Sequence, residues 1–259
     1  EVNLGLNRAK GKYIVIADAN ISYETDFLKK MYYKASQDDA DIVLAKVDYV
    51  DYNRDICKAS EWEKKYFRLP AKAYFNFNDV KYDRFNTFSY RITDKMYRKE
   101  FLDKQALRLN AQGNGYGDIG FIYETIIKAE KIVYINEIIG RQNMEFKLRH
   151  AQIHNWQFIC NSLMEFQRSL KENDVWNIYE QDYVNFSLNV LLHEYALAKA
   201  DEIADIYSEM KNVWFEALEI TAHESNYFYD QQLYEQSRYI QKFDYFWPLV
   251  KSSMGMENQ

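Results

Sequence analysis

Gly11-Lys12-Tyr13-Ile14-Val15-Ile16-Ala17-Asp18-Ala19-Asn20 decides how the first half of this 259-residue chain is read. A glycine opens a short, continuous apolar run, which is the pattern of a strand buried on both faces of a parallel sheet. Asp18 and Asn20 stand at its carboxyl end, the edge where open α/β sheets receive their ligands. Working outward, Ser22 or Thr25 is placed to cap a helix whose apolar face is Phe27, Leu28, Met31 and Tyr32. Ile42-Val43-Leu44-Ala45, within 41–50, is a second strand, so residues 13–50 read as strand, helix, strand, a βαβ unit. Further strands are expected at Thr87–Arg91 and Ile132–Ile135. Helices are expected at Glu61–Leu69, ending at Pro70, and at Asp94–Gln105, with Met96, Tyr97, Phe101 and Leu102 on one side. Asn76–Asn86 is polar and reads as a loop.

Gly113, Gly115, Gly117 and Gly120 are half of all eight glycines. They force a loop, with Asp118 inside it at the start of a helix faced by Ile119, Ile122, Ile126 and Ile127. Beyond residue 146 the composition changes. Helical periodicity runs through 147–171, 175–199 and 227–246, and is sharpest in Ile203, Ile206, Tyr207, Met210, Trp214, Ala217 and Leu218. The expected organisation is therefore an α/β domain over 1–146 and an all-α extension over 147–259.

The bulk numbers exclude several classes. The 33 basic and 39 acidic residues leave a net charge of −6, which argues against nucleic acid as the principal partner. Aromatic residues at 17 % are too many for a disordered chain. No apolar run approaches the roughly 18 residues of a membrane span. Two cysteines, Cys57 and Cys160, read as free, semi-buried thiols in a reducing compartment.

Asp18-x-Asn20 has two readings. It can be an Asp-Asn turn closing a strand, or two hard oxygen donors for Mg²⁺ or Mn²⁺ carrying a diphosphate. Asp118 is likewise either the helix N-cap or a chemical group. His150 and His154, four apart, share a helix face, as in helical metal pairs, and read as helix-surface or interdomain contacts. Arg141, after Gly140, reads as a surface charge or a phosphate contact. The tyrosine-rich tail reads as interhelix packing or as a sugar-stacking surface.

Asn3-x-Gly5-Leu6-x-x-Ala9-Lys10-Gly11-x-Tyr13-Ile14, followed by Ile16-Ala17-Asp18-Ala19-Asn20, resembles the middle of a bacterial family-two glycosyltransferase with the GT-A fold. The resemblance continues in Asp94-Lys95-Met96-Tyr97-Arg98-Lys99-Glu100-Phe101-Leu102, in Tyr116-Gly117-Asp118, and in Ala129-Glu130-Lys131-Ile132-Val133-Tyr134-Ile135. It implies a partial GT-A, Rossmann-like α/β fold with a mostly parallel sheet. It also implies an opening nucleotide-binding half of about 90 residues upstream, on ordinary domain size.

Carried over residue by residue, Asp18 would face the donor's ribose and the metal. Asn20 would stand at the metal-ligating position, and Asp118 would be the general base. The implied cofactors are Mn²⁺ or Mg²⁺ and a nucleotide-sugar donor, a UDP-sugar first among them. The implied acceptor is a hydroxyl on a glycan, a lipid-linked chain or a polyol-phosphate in bacterial surface polysaccharide synthesis. The expected location is cytoplasmic or peripheral at the inner face of the membrane, and the helical tail is a surface for self-association. Asn20 stands where the family usually has a carboxylate, and Gly117 where it has Glu. The alternative reading is a non-catalytic relative that binds or scaffolds.

Overall fold

The computed structural model describes residues 2–51, 56–58, 63–109, 119–143, 153–198 and 201–244. The chain divides into two compact units, Glu1–Lys147 and Leu148–Gln259.

The first unit is built on a six-stranded sheet. Its elements in chain order are α1 (Val2–Arg8), β1 (Tyr13–Val15), β2 (Ile21–Tyr23), α2 (Phe27–Asp38), β3 (Ile42–Asp51), β4 (Ile56–Lys58), α3 (Arg84–Thr87), β5 (Lys95–Arg98), α4 (Lys99–Lys104), α5 (Ile119–Lys128) and β6 (Ile132–Asn143). The strands run in the order β1-β5-β3-β6-β2, with β4 paired to β3. Ile42, Val43, Leu44 and Ala45 are all buried, as are Ile132 and Val133. Successive strand residues point to opposite faces, so burial of every one means that both faces are covered.

On one face Met31 and Ala35 of α2 pack with Val43, Ala45, Met96, Val133 and Ile139. On the other, Tyr97, which pairs with Ile42, meets Phe121 of α5 with ring centroids 5.6 Å apart. An α/β unit followed by helices is the architecture expected from the sequence.

The pairing corrects the expectation of a mostly parallel sheet. Among the described residues only β3 and β6 pair in parallel; β1–β5, β2–β6, β3–β4 and β3–β5 are all antiparallel. The βαβ unit exists in split form. β1 and β3 point the same way because each is antiparallel to β5, which lies between them.

That insertion explains a second correction. Lys95–Arg98 is a strand, and the helix starts only at Lys99. Met96, Tyr97, Phe101 and Leu102 fit helical spacing, but the open edge of β3 takes the first two as a ladder partner, and tertiary pairing overrides local pattern.

Thr87–Arg91 is not a strand. Phe85 and Phe88 pack on Phe77, and the Tyr123 hydroxyl donates to the carbonyls of both at 2.8 and 3.1 Å. A side chain thus satisfies backbone groups that a neighbouring strand would otherwise pair. Glu63–Arg68 forms a 3₁₀ rather than an α-helix, and Asn76–Asn86 contains a capped 3₁₀ turn at Phe77–Asp79.

The segment after Asn20 is also a strand. Asp26, without a side-chain cap bond, stands at the start of α2 where Ser22 or Thr25 was expected. Leu28 and Tyr32 are about half exposed, and Ala35 takes the place in the core that the spacing assigned to them.

The second unit contains α6 (Ile153–Glu172), α7 (Trp176–Leu197), α8 (Ile203–Glu209), α9 (Phe215–Ala217) and α10 (Gln231–Lys242). α7 is buried nearly all round, the signature of a central helix. Its Tyr183 hydroxyl donates to the Leu163 carbonyl at 2.8 Å. Its Asn185 accepts from the Tyr229 backbone at 2.7 Å. Cys160 is a free thiol, fully buried rather than semi-buried, and burial pushes its pKa up.

A π turn at Met210–Trp214 joins α8 to α9. It adds a residue to one turn, so Phe215 enters the core where the regular spacing placed Trp214. The last helix starts at Gln231, not at Tyr227, because the Asp230 carboxylate accepts from the backbone of Gln232 and Leu233.

Candidate functional site

The turn after β1 is fastened at Asp18. Its Oδ1 accepts from the backbone N–H of Asn20 and from the Asn20 side-chain amide, both at 2.8 Å. Its carbonyl accepts from Ile21 at 3.1 Å, which starts β2. The Tyr23 hydroxyl, 3.3 Å away, accepts from the Asp18 N–H. The Asp-Asn turn read from the sequence is therefore present, and it sets both side chains at the end of β1. That is the same edge to which β3 points its carboxyl end. Tyr23 stacks on Phe27 at 4.5 Å, and burial raises its phenol pKa.

A second group of charges shares this edge, and sequence reasoning missed it. The Lys95 ammonium is fully buried. It donates to the carbonyls of Ser89 and Arg91 at 2.6 and 2.5 Å and to Asp94 Oδ1 at 2.7 Å. Burial lowers its pKa, and Asp94 opposes the shift. Arg91 lies over the Tyr49 ring at 4.3 Å and donates to the Val47 carbonyl at 3.2 Å. Val15 at the end of β1 pairs with Met96, and Leu44 of β3 with Lys95, so the start of β5 and Asp94 before it lie at the edge that carries Asp18. The signal in the sequence was the adjacent Asp94-Lys95 pair. Inside an apparent helix such a pair reads as surface; at the first residue of a central strand it is buried.

Asp118 and His150, with Gly113, Gly115 and Gly117, lie outside the described residues, as does the side chain of His154. Arg141 is half exposed and ion-paired with Glu24, the surface-charge reading of its two. In the tail Tyr239 packs on Phe243, and the Tyr207 hydroxyl donates to the carbonyls of Ile240 and Phe243. These are packing roles.

The donor chemistry at Asp18 and Asn20 suits a divalent cation. Both bonds from Asn20 fall on one carboxylate oxygen of Asp18. They leave the second oxygen and the Asn20 carbonyl oxygen as two hard donors for an ion that completes its shell with phosphate and water. Asp18 and Asn20 are the residues that would hold Mg²⁺ or Mn²⁺.

Residues 1–105 match the family described as Glycosyl transferase family 2. Over those residues the chain is similar to that family. A curated relative is the cholesterol galactosyltransferase of Borreliella burgdorferi. It is 24 % identical over 190 residues, an alignment covering 71 % of this chain and 52 % of the relative. The chain thus spans about half the length of that relative. Among solved structures, S. aureus TarS 1–349 in complex with UDP gives a TM-score of 0.46 at 13 % identity, covering 92 % of this chain and 70 % of that one. TarS 1–349 described without a ligand gives 0.46 at 16 % identity, covering 92 % and 69 %. Among the described residues no helix is long and apolar enough to cross a membrane.

Proposed function

We propose that this chain is part of an inverting glycosyltransferase that moves a sugar from a nucleotide donor, a UDP-sugar first, to a hydroxyl acceptor. The observation that carries the reading is the Asp18–Asn20 pair, locked at the carboxyl edge of β1 within the stretch that matches the family. The relative named for galactosyl transfer supports a hexose donor. The proposed setting is bacterial surface glycan synthesis in the cytoplasm or at the inner face of the membrane. The acceptor would be a glycan, a lipid-linked chain or a polyol-phosphate.

In this reading Asp18 and Asn20 orient the diphosphate end of the donor, and the bound divalent ion supplies charge for the leaving diphosphate. Asp118 takes the proton from the acceptor hydroxyl. The hydroxyl oxygen bonds to the anomeric carbon as the bond from that carbon to the diphosphate oxygen breaks on the opposite face, which inverts the centre. Lys95 acts at a distance, by holding the carbonyls of Ser89 and Arg91 and so the shape of the loop beside Tyr23.

The test is a thermal shift of the complete gene product against UDP, GDP, CDP and TDP, with and without Mn²⁺. One nucleotide should raise the melting temperature in a Mn²⁺-dependent way, by about 2.7 kcal/mol of stability at a hundredfold excess over Kd. Asp18→Ala should abolish the shift. Asp118→Asn should keep it and lose turnover. A gene product that neither binds nor hydrolyses any nucleotide sugar overturns the reading. Asn20, a neutral amide already bonded to Asp18, favours the second reading of a non-catalytic relative. In that case Asp118→Asn changes nothing measurable.

A further inference from the structure

In the second unit Glu180, Glu219 and His223 each bring one ligand atom to a common point, all within 4.8 Å of one another. We infer that these three side chains form a binding site for a divalent transition metal, Zn²⁺ first, separate from Asp18 and Asn20.

They come from different pieces of the chain. Glu180 lies in the second turn of α7, Glu219 follows α9 with a left-handed backbone at φ 61°, and His223 follows the 3₁₀ turn Ile220–Ala222. Four observations point to a metal rather than to a plain ion pair. The His223 Nε2 is buried and makes no hydrogen bond. It lies 3.5 Å from Glu180 Oε1, longer than a hydrogen bond. Yet two ligands on one tetrahedral zinc, each about 2.0 Å from it, sit about 3.3 Å apart. The imidazole plane is fixed by a face-to-face stack on Tyr227, with centroids 3.6 Å apart and planes 2° from parallel.

Third, Glu219 is held from outside on one oxygen only. Lys171 at 2.6 Å and Gln167 at 3.3 Å both donate to Oε1, which leaves Oε2 for a metal. Such outer donors orient ligating carboxylates. Fourth, the two carboxylates meet one ammonium, that of Lys171, and a divalent cation would offset the carboxylate charge left over. Imidazole with carboxylates suits zinc, with water in the remaining position. The ion would tie the 219–223 turn to α7, whose Gln181 and Asn185 already bond the Tyr227 carbonyl.

The test uses the untagged full chain, stripped with chelator and titrated with ZnCl₂ by calorimetry, with metal content read after dialysis. One Zn²⁺ per chain is expected, with a rise in melting temperature. His223→Gln and the isosteric Glu180→Gln should each weaken binding by about tenfold or more and lose the thermal rise. Far-UV circular dichroism confirms that the variants fold. Co²⁺ in place of Zn²⁺ should give visible absorption bands in the parent that both variants lose. The inference is overturned if the chain binds no Zn²⁺. It is equally overturned if both folded variants bind as the parent does, or if only Asp18→Ala removes the binding.

Discussion

Lys95 shows how much one residue can carry. Its ammonium is buried among two carbonyls and the Asp94 carboxylate, itself 5 % exposed. Replacing it with Met keeps the apolar stem but strands a buried carboxylate and two acceptors. Breaking a buried pair in this way costs about 3–5 kcal/mol. Lys95→Met should lower the urea midpoint by a corresponding amount and loosen the loop beside Tyr23, visible as faster amide exchange around residues 89–94. If Lys95→Met is as stable as the parent, the ammonium is not what holds that loop.

His223 makes the opposite point about legibility. As a lone histidine in sequence it carries no information, since Glu180 lies far back in the chain, on α7. Asp18 and Asn20 were legible because the strand and the pair that ends it are contiguous. Lys95 was not legible, because its burial follows from the partner strand and not from its neighbours.

At the scale of elements, the contact between β2 and β6 depends on a missing side chain. A Cβ at Gly140 would stand 2.8 Å from Ile21 Cγ2, 3.2 Å from the Ser22 carbonyl and 3.3 Å from the Tyr23 ring. The isoleucine branch is stiff and the carbonyl belongs to the ladder, so neither yields cheaply. Gly140→Ala should cost about 1–3 kcal/mol in denaturant unfolding. It should also weaken the nucleotide-induced thermal shift, because displacing Tyr23 disturbs Asp18.

α4 offers a pH-dependent counterpart. Its Asp103 accepts from Lys99 and Arg108, which hold the carboxyl below its ordinary value of 3.8. A carboxyl held lower in the folded chain contributes stability above that ordinary value and loses it as pH falls through the depressed one. The difference in melting temperature between the parent and Asp103→Asn should be present at neutral pH and close below pH 3.8. A difference that persists unchanged into acid would rule out those two partners as its source.

For the whole molecule, the two halves were readable to different degrees for a physical reason. Helical periodicity is local, so the placement of α6, α7 and α8 was close to what the pattern gave. The exception is the π turn, a one-residue insertion that no apolar pattern announces. Sheet pairing is non-local. The buried runs at β1, β3 and β6 showed that a covered sheet existed, but not that β5 would enter between β1 and β3 and reverse the pairing direction.

The same distinction bears on how the second unit holds together. α7 buries Tyr183, Phe186, Leu188, Leu191 and Leu192 along its whole circumference. It is joined within the unit to α6 through the Leu163 carbonyl and to the segment before α10 through Tyr227 and Tyr229. A core closed by its own helices does not need the sheet. Residues 148–259 expressed alone should therefore give helical circular dichroism and a single cooperative melt. A fragment that stays unfolded, or melts without cooperativity, would show that the α7 core is completed by groups outside those residues.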